Sequence, residues 1–430
     1  MDITAFHLLA LAAIVVLVVL LSVVLFEPGL AYRIRGDLPA CDSHQSRGLV
    51  AALVDSSIMQ ATEVEVLTGG QAFYPAELWA IAQARHSIHL EAYVFHRSAI
   101  ADRFIAAMEA RARAGVKVRL IIDAIGSLAT PDACFAQLRR AGGEVAWYQP
   151  VRWHTLKRFN NRTHRELLVI DGVTGFIGGA GIAAWWDNGG RAGVPWRDTM
   201  VCVHGPLASA LQSSFAENWL ESTGELLTTQ QDFPFCRAPA EQPAQTAAHG
   251  LVVTSTPSAG RATRARMLFQ LLLASARRSI RIASPYFLPD RSVLRELAAA
   301  VQRGVNVQII VPGALNNHPI ARRASRRRYG ALLQAGVHLH EYQPAMMHAK
   351  VMVVDQVWSV VGSTNFDNRS FGLNDEVNLA VQDPSLAQRL ERAFENDLAR
   401  CLTVSEAAWS GRSTWERMLA GVGALLERHQ

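Results

Sequence analysis

The stretches ARHSIHL at residues 84–90 and ARRSIRI at residues 276–282 nearly repeat each other within one chain. Each is followed by a helical pattern that ends at a glycine and then by an apolar strand pattern. These segments are Ile100–Arg113, Gly115 and Val116–Ile122 in the first copy, and Val293–Arg303, Gly304 and Val305–Val311 in the second. Strand, helix and strand in this order predict a βαβ unit with parallel pairing. The duplication therefore predicts an α/β fold of two similar halves, each a βαβ sheet flanked by helices, related by a pseudo-twofold axis.

The repeat also predicts how the chain is divided. Residues 228–250 are rich in Pro, Gln and Ala, lack periodicity and are interpreted as an exposed linker. After Pro384 the pattern is helical to the end, and its last part carries an apolar stripe, which is more often core packing than a membrane-surface element. The stripe consists of Trp409, Trp415, Met418, Leu419, Val422 and Leu426. The predicted segments are an anchor at 1–30, a juxtamembrane segment at 31–60, a first half at 61–227, the linker, a second half at 251–400 and a C-terminal helix at 401–430.

Leu8–Phe26 is an apolar segment of 19 residues in which Ser22 is the only polar side chain. As a helix it would span roughly 28 Å, close to the ~30 Å hydrocarbon core of a bilayer. A secretory signal needs a basic flank before the apolar stretch, and no Lys or Arg stands there. We therefore predict an uncleaved single-pass anchor. Because Arg33 and Arg35 follow the segment, the rest of the chain is predicted to lie in the cytoplasm.

The composition excludes some classes of protein and leaves others open. A chain of 430 residues with 50% hydrophobic and 18% charged residues is neither disordered nor collagen-like. The net charge of +5 fits an anionic partner, and both a phosphate-bearing lipid and nucleic acid are compatible with it. No C-x-x-C pair occurs, which favours ordinary thiols in a reducing compartment over a zinc site or a disulfide framework. The cysteines are Cys41, Cys134, Cys202, Cys236 and Cys401.

The second half contains HAKVMVVD at residues 348–355, followed by GSTNFDNRS at residues 362–370. Residues i and i+2 of a strand share a face, so His348 and Lys350 are predicted to point into one site. An imidazole beside an ammonium suits phosphate chemistry, because Lys holds the anion while His attacks or protonates an oxygen. Asn365 adds amide donors, and the small pair Gly362 and Ser363 lets the backbone approach a phosphoryl group closely.

The first half carries a partner stretch, THRELLVID at residues 163–171, followed by GGAG at residues 178–181. The spacing from His164 to Asp171 equals the spacing from His348 to Asp355. Each Asp lies an odd number of residues from its His, hence on the opposite strand face. Structural hydrogen bonding is therefore predicted for both Asp side chains, although each belongs to its motif.

The arrangement H-x-K-x4-D plus G-S-x-N-x-D-x-R-S resembles the phospholipase D superfamily. In that family the two halves pack so that both motifs meet at one site. The resemblance implies that His164 is the nucleophile of a covalent phosphohistidine and that His348 is the general acid, which later deprotonates the acceptor alcohol. It implies no metal and no other cofactor, because His and Lys350 supply the charge stabilisation.

Two positions depart from the family pattern, and both weaken phosphate binding. Glu166 stands where the family usually has Lys, and Gly181 stands where it usually has Asn. One interpretation is that this half-site has decayed into a lipid-binding remnant. The other is that it is active: Arg162 supplies the missing cation, while Glu166 pairs with an Arg or assists deprotonation of an acceptor hydroxyl. The predicted phosphate-binding residues are Lys350, Asn365, Ser363, Gly181 and Arg162.

Two further acidic residues follow the histidines in the sequence. Asp198 lies in WRDT at residues 196–199, and Glu376 lies in NDEVN at residues 374–378. A carboxylate on the far ring nitrogen orients a catalytic imidazole and fixes its tautomer. By the symmetry of the repeat we predict that Asp198 supports His164 and that Glu376 supports His348.

Several segments resemble bacterial cardiolipin synthases in particular. They are Leu90–Phe95, Gly115–Arg119, Trp196–Thr199, Gly205–Pro206 and Ser284–Phe287. The resemblance implies transfer of a phosphatidyl group between lipids, with phosphatidylglycerol as the expected anionic substrate and the bacterial inner membrane as the location. Five Arg within residues 322–328 fit anionic headgroups or, alternatively, a solvated helix face. A lipid hydrolase and, less favoured by the anchor, a nuclease remain open alternatives, and the oligomeric state is unknown.

Overall fold

The structure is a computed structural model that describes residues 7, 11–16, 32–61, 63–150, 160–190, 193–234, 248–258 and 262–411. The predicted anchor, Leu8–Phe26, lies outside the described residues except for residues 11–16, which are helical. Among the described residues, no helix combines the length and the apolar character needed to cross a membrane.

The described helices lie on the outer faces of two sheets and between them. They are α1 His44–Leu53, α2 Gly70–Gln83, α3 Ala99–Arg113, α4 Ala136–Arg140, α5 Ala184–Asp187, α6 Pro206–Thr223, α7 Arg264–Ser275, α8 Arg291–Gln302, α9 Pro319–Gln334, α10 Pro384–Leu398 and α11 Glu406–Ser410, with a 3₁₀ turn at Asp132–Phe135.

The described strands are short and mostly buried. They are β1 Met59–Ala61, β2 Val64–Thr68, β3 Ser87–Ala92, β4 Lys117–Asp123, β5 Glu144–Tyr148, β6 Arg162–Thr163, β7 Leu167–Ile170, β8 Thr174–Gly178, β9 Thr199–His204, β10 Ala248–Ser255, β11 Ser279–Ala283, β12 Asn306–Pro312, β13 His338–Tyr342, β14 Val351–Val354, β15 Trp358–Gly362, β16 Asn374–Gln382 and β17 Cys401–Thr403.

Two mixed sheets have the same internal order, which confirms the predicted α/β fold of two similar halves. The first runs β2-β9-β8-β7-β3-β4-β5, and the second runs β1-β10-β16-β15-β14-β11-β12-β13-β17. In each, three neighbouring strands are parallel, β3-β4-β5 and β11-β12-β13, and the first pair is joined by the predicted crossover helix, α3 or α8. Each sheet then continues through an antiparallel hairpin, β7-β8 or β14-β15.

The crossover helix α3 shows how the sequence specifies this local structure. Ser98 caps its start by accepting a hydrogen bond from the Ala101 amide, and Phe104 and Met108 are buried on the face toward the sheet. Gly115 ends it with φ +88°, a conformation that favours glycine and turns the chain into β4. Gly304 has φ +86° at the equivalent place after α8.

A shared apolar layer holds the two halves together. It contains Val169 and Val201 of the first sheet and Val353 and Val377 of the second, with α6 and α10 packed alongside. Because this layer lies behind the two hairpins, it fixes their ends against each other. The segments that carry both histidines precede those hairpins, so the layer also positions the site.

The C-terminal part differs from the prediction. Cys401–Thr403 is a strand and not the start of a helix, because it pairs antiparallel with the edge strand β13. Trp409 packs on Tyr329, with ring centroids 5.6 Å apart, as the core interpretation of the stripe predicts. The other stripe residues, Trp415 to Leu426, lie outside the described part of the chain. The first strand after the predicted linker begins at Ala248, inside its predicted end.

Candidate active site

A cavity of about 830 Å³ lies between the two halves. The first half contributes Tyr93, Val94, His96, Ile125, Gly126, Leu128, Ala129, His164, Trp185 and Trp196 to its lining; the second contributes Tyr286, Leu288, Asn317, His318, Ala321, Asn365, Asp367, Arg369, Ser370 and Asn374. Several of these residues follow the carboxyl ends of β3, β4, β11 and β12. Ligand sites in α/β folds concentrate at such ends, so this cavity is the candidate active site.

His164 is positioned by a strand of the other half. The short strand β6 pairs in parallel with the start of β16, which places Thr163 opposite Asp375. The His164 amide donates to the Asp375 carbonyl at 2.9 Å, and the next residue of that strand is Glu376. Both carboxylate oxygens of Glu376 lie 3.1 Å from His164 Nδ1. The Ser363 hydroxyl donates to the same carboxylate, so Glu376 is fixed as well as buried.

His348 is positioned in the equivalent way, by a segment of the first half. Arg197 and Met347 form a parallel bridge, and the His348 amide donates to the Arg197 carbonyl at 2.7 Å. The next residue, Asp198, accepts a hydrogen bond from His348 Nδ1 at 2.8 Å and one from the Trp186 indole at 3.0 Å. The Asp198 side chain is fully buried.

These contacts correct the predicted pairing of carboxylates with histidines. The sequence predicted Asp198 for His164 and Glu376 for His348, and the structure shows the reverse. The reason is topological, because each bridge joins strands of different halves. Each histidine therefore takes its carboxylate from the half that does not contain it.

Both contacts use Nδ1, which determines the chemical state of the two rings. A carboxylate that accepts the Nδ1 proton leaves Nε2 as the lone pair of the neutral imidazole. His164 lines the cavity directly, while His348 packs against two lining rings, Trp196 at 5.3 Å and Tyr286 at 6.3 Å between centroids. The two imidazoles are thus held at one site, and no carboxylate among the described residues engages their Nε2 atoms.

Lys350 provides the cation of the second half-site. Its Nζ donates to the Gly179 carbonyl at 3.1 Å and lies 3.2 Å from His348 Nδ1. A Cβ added at Gly179 would stand 2.8 Å from Lys350 Nζ and 2.8 Å from Asp198 Oδ1, so glycine is needed for this approach. The i, i+2 pattern thus correctly predicts that His348 and Lys350 share a site.

Burial changes the protonation of both groups. Desolvation and, to a smaller extent, the charge of Lys350 lower the pKa of His348 to about 4, against the raising effect of Asp198. Desolvation also lowers the pKa of Lys350, against the raising effect of Asp198 and Glu166. In the substrate-free site the neutral form of His348 is therefore favoured at neutral pH.

Glu166 and Gly181, the two departures from the family pattern, both pack against the Val94 backbone. Glu166 is buried, and its Oε1 accepts the Val94 amide at 3.1 Å. A Cβ added at Gly181 would overlap the Val94 carbonyl and stand 2.8 Å from Glu166 Oε1. An asparagine at position 181 therefore does not fit against the Val94 backbone. Desolvation raises the pKa of Glu166 well above its usual range, which favours its uncharged form although Lys350 opposes the shift.

Arg162 does not supply the missing cation. Its buried guanidinium donates to Asp123 at 3.4 Å, to the Gln149 carbonyl at 2.9 Å and to the Asn161 carbonyl at 2.6 Å. The prediction assumed that the strand runs through His164. β6 instead ends one residue earlier, so the alternation of faces does not extend that far.

Of the two residues predicted as phosphate ligands beside Lys350, Ser363 is engaged elsewhere and Asn365 lies at the cavity. The Ser363 hydroxyl is engaged with Glu376 and so orients the His164 carboxylate. Asn365 lines the cavity, and its buried Oδ1 has no hydrogen-bond partner among the described residues. Asp367 of the same stretch also lines the cavity, and desolvation raises its pKa to about 6.

Asp171 and Asp355 make the structural hydrogen bonds that their strand face predicts. The Asp171 carboxylate accepts the amides of residues 85–87 at 2.7–3.2 Å, which ties the β7-β8 hairpin to the start of β3. The Asp355 carboxylate accepts the amides of residues 277–279 at 2.7–3.1 Å and ties β14-β15 to β11.

An aromatic wall around the histidines was missed from the sequence. Trp185 and Trp196 stack with centroids 5.0 Å apart, and Tyr93 stands edge-on to His164 at 5.0 Å. Tyr93 follows β3 and Tyr286 follows β11, so alignment of the two repeats contains the signal for this pair. The two tryptophans have no counterpart in the repeat and give no such signal.

Comparison with known proteins agrees with this geometry. The family model described as "Cardiolipin synthase, PLD-like domain" matches residues 78–219 and 270–398, once in each half. The chain belongs to the cardiolipin synthase family. It is thus a phosphatidyltransferase of the phospholipase D superfamily, and the resemblance seen in its motifs is confirmed.

Relatives cover most of the chain. Cardiolipin synthase A of Pseudomonas putida (strain W619) is 35% identical over 81% of this chain and 72% of the relative. Cardiolipin synthase of Alkalihalophilus pseudofirmus is 32% identical over 88% of this chain and 74% of the relative. A crystal structure of phosphatidylserine synthase from Haemophilus influenzae Rd KW20 has a TM-score of 0.68 at 14% identity, covering 89% of this chain and 99% of that one. The last likeness shows that the fold is shared.

Proposed function

We propose that this enzyme makes cardiolipin by transferring a phosphatidyl group from one phosphatidylglycerol to another through a phosphohistidine. The observation that carries the proposal is the crossed pair of imidazole–carboxylate contacts at a single cavity. Two oriented imidazoles allow one difficult displacement to be divided into two easier ones. Names of the relatives support the substrate class.

In the first step, Nε2 of His164 attacks the phosphorus of the donor lipid. The N–P bond forms while the P–O bond to the leaving glycerol breaks, and His348 gives its proton to the departing oxygen. Glu376 stabilises the positive charge that develops on His164. Lys350 and the Asn365 amide hold the non-bridging oxygens.

In the second step, His348, now neutral, takes the proton of the acceptor lipid's terminal hydroxyl. The hydroxyl oxygen attacks phosphorus, the O–P bond forms and the bond to His164 breaks. The lowered pKa of His348 suits this role as a base. For the first step, the negative charge of the bound phosphodiester favours the protonated form of His348.

Glu166 is compatible with an active first half-site. The sequence predicts repulsion between its carboxylate and the phosphate, but burial favours the uncharged carboxyl. Lys350 then serves as the shared cation of both half-sites. We therefore favour an active enzyme over a lipid-binding remnant.

The setting proposed for the reaction is the bacterial inner membrane. Leu8–Phe26 is proposed as a single-pass anchor that keeps the catalytic halves on the cytoplasmic side. A lipid substrate requires such proximity, and nucleic acid does not.

Product analysis tests the proposal directly. The purified full chain is incubated with phosphatidylglycerol, and cardiolipin with an equal amount of glycerol is expected. Phosphatidic acid without cardiolipin would indicate a hydrolase, and cleavage of DNA or RNA with steep salt dependence a nuclease. Lipid mass spectrometry of a cardiolipin-free host that expresses wild type or His348→Ala supplies the matched control. Absence of all products from the wild type overturns the proposal.

A further inference from the structure

Three loops at the mouth of the cavity carry exposed apolar side chains. They are residues 124–131 after β4, residues 313–318 after β12 and residues 193–196 before β9, and together they are called the rim. Leu128, Leu315 and Val194, one on each loop, are 76%, 49% and 42% exposed. Leu128 lines the cavity, and the other two lie within three residues of lining side chains.

The rim is symmetric with respect to the repeat. The loop with Leu128 and the loop with Leu315 both follow the middle strand of the parallel trio in their halves, β4 and β12. Exposed leucines at both places therefore stand on either side of the same opening. An apolar group surrounding an opening indicates contact with another apolar phase.

The charge around the rim is suited to an anionic surface. None of the three loops contains Asp or Glu. Arg97 is exposed and its amide donates to Thr130 of the first rim loop at 3.3 Å. Arg323 and Arg327 are exposed, one turn apart, on α9, whose first turn contributes to the cavity lining. Arg322 and Arg326 of the same helix are instead paired with Glu341.

The size of the cavity determines where the lipid chains must lie. A volume of about 830 Å³ is that of a pocket for one drug-sized molecule. The proposed reaction brings together two diacyl lipids, so their headgroups fit inside and their four acyl chains do not. Those chains have to leave through the mouth.

We infer that the rim is a membrane-docking surface, which inserts Leu128, Leu315 and Val194 into an anionic phospholipid bilayer so that headgroups enter the cavity while acyl chains stay in the membrane. The inference rests on the proposed function for its lipid substrate. It adds a surface and an orientation that the catalytic chemistry does not require. Basic side chains beside the apolar ones attract anionic headgroups, as in other interfacial elements.

Hydrogen exchange of the full chain tests the contact without any substitution. Amides of residues 124–131 and 313–318 are compared in phosphatidylglycerol nanodiscs and in detergent. Slower exchange in nanodiscs by about tenfold is expected in both loops, with no change in residues 79–83 at the end of helix α2. Equal exchange in both media overturns the inference. Protection that depends on protein concentration and needs no lipid also overturns it, because a second copy then covers the rim.

Charge substitutions test the consequence for catalysis. The double variant Leu315→Glu/Val194→Glu is expected to lower kcat/KM on phosphatidylglycerol vesicles by about tenfold or more. Cleavage of a water-soluble diester without acyl chains should stay within about twofold of wild type, because neither residue lines the cavity. Trp79→Glu, at a side chain that is 69% exposed on α2, is the control and should not change either reaction.

The outcomes separate this inference from the proposed function. Loss of both reactions in the double variant, or of neither, overturns the docking role. If the wild type forms no lipid product yet its loops are protected in nanodiscs, the proposed function fails and the docking surface stands.

Discussion

Glu376→Gln is the substitution that most directly tests the crossed pairing of histidines and carboxylates. The Glu376 carboxylate accepts three donors, His164 Nδ1 at 3.1 Å, the Ser363 hydroxyl and Asn374 Nδ2 at 3.4 Å. A glutamine of the same shape has one acceptor oxygen and one amino group. Whichever way it is turned, its amino group faces a donor.

The magnitude follows from the charge that develops on His164. In the proposed first step the imidazole becomes positive as the N–P bond forms, and the carboxylate is 3.1 Å from it. The Coulomb energy at that distance is about 5 kcal/mol at an effective dielectric of 20, which is an upper bound. Loss of a charge-assisted hydrogen bond alone is about 1.5–3 kcal/mol. We expect an intermediate loss of about 2–4 kcal/mol, or roughly 30- to 1,000-fold in kcat.

Site-resolved chemistry identifies which histidine is affected. Diethyl pyrocarbonate acylates neutral imidazole, and peptide mass spectrometry reports its rate separately for His164 and His348. Glu376→Gln should change the rate at His164, and Asp198→Asn should change it at His348. The crossed assignment would be refuted if Glu376→Gln changed the rate at His348 and Asp198→Asn changed it at His164. A kcat for Glu376→Gln within about twofold of wild type would also refute it.

The remaining predictions concern pH, packing and stability. The charge of Lys350 contributes to lowering the pKa of His348, so Lys350→Gln should raise that pKa. In a profile of kcat/KM against pH, the decline at high pH should then begin at a higher pH than in wild type. A decline at the same pH contradicts this. Gly181→Asn should reduce the free energy of unfolding by about 1–3 kcal/mol without raising turnover, measured by thermal melting. Glu166→Gln should keep kcat within about threefold, since burial raises the pKa of Glu166 and so favours an uncharged carboxyl; a larger loss shows that its proton or charge is used. Asparagine tolerates the φ of +53° at position 171, so Asp171→Asn tests the carboxylate alone. It should destabilise the fold by about 1–3 kcal/mol and leave kcat near wild type. A loss of kcat with unchanged stability would indicate a catalytic role.

Local features of the sequence predicted the fold well. The repeated strand, helix, glycine and strand pattern gave two parallel βαβ units, with the helix and the second strand of each within one or two residues of the observed bounds and the first strand within three. The i, i+2 spacing correctly placed His348 with Lys350, although both precede β14, and the odd spacing of Asp171 from His164 correctly put that carboxylate away from the chemistry. These properties follow from the backbone periods of single elements, which neighbouring segments do not alter.

Contacts between the halves were decided by tertiary structure. Repeat symmetry suggested that each histidine takes the carboxylate of its own half, but β6 pairs with β16 and exchanges the partners. Nothing in the order of residues distinguishes the two pairings, because both place an acid at a similar distance along the chain.

The sequence by itself determined the family and the two α/β halves and pointed to both histidines as the candidate catalytic pair, because duplicated patterns and motif spacing are local properties. Only the tertiary structure decided that Glu376 serves His164 and that Asp198 serves His348. It also showed that the Val94 backbone carbonyl requires glycine at position 181, that Glu166 accepts the Val94 amide, and that Arg162 is used elsewhere. These outcomes depend on which surfaces are desolvated together and on which atoms compete for one volume, and both are set when the two halves pack.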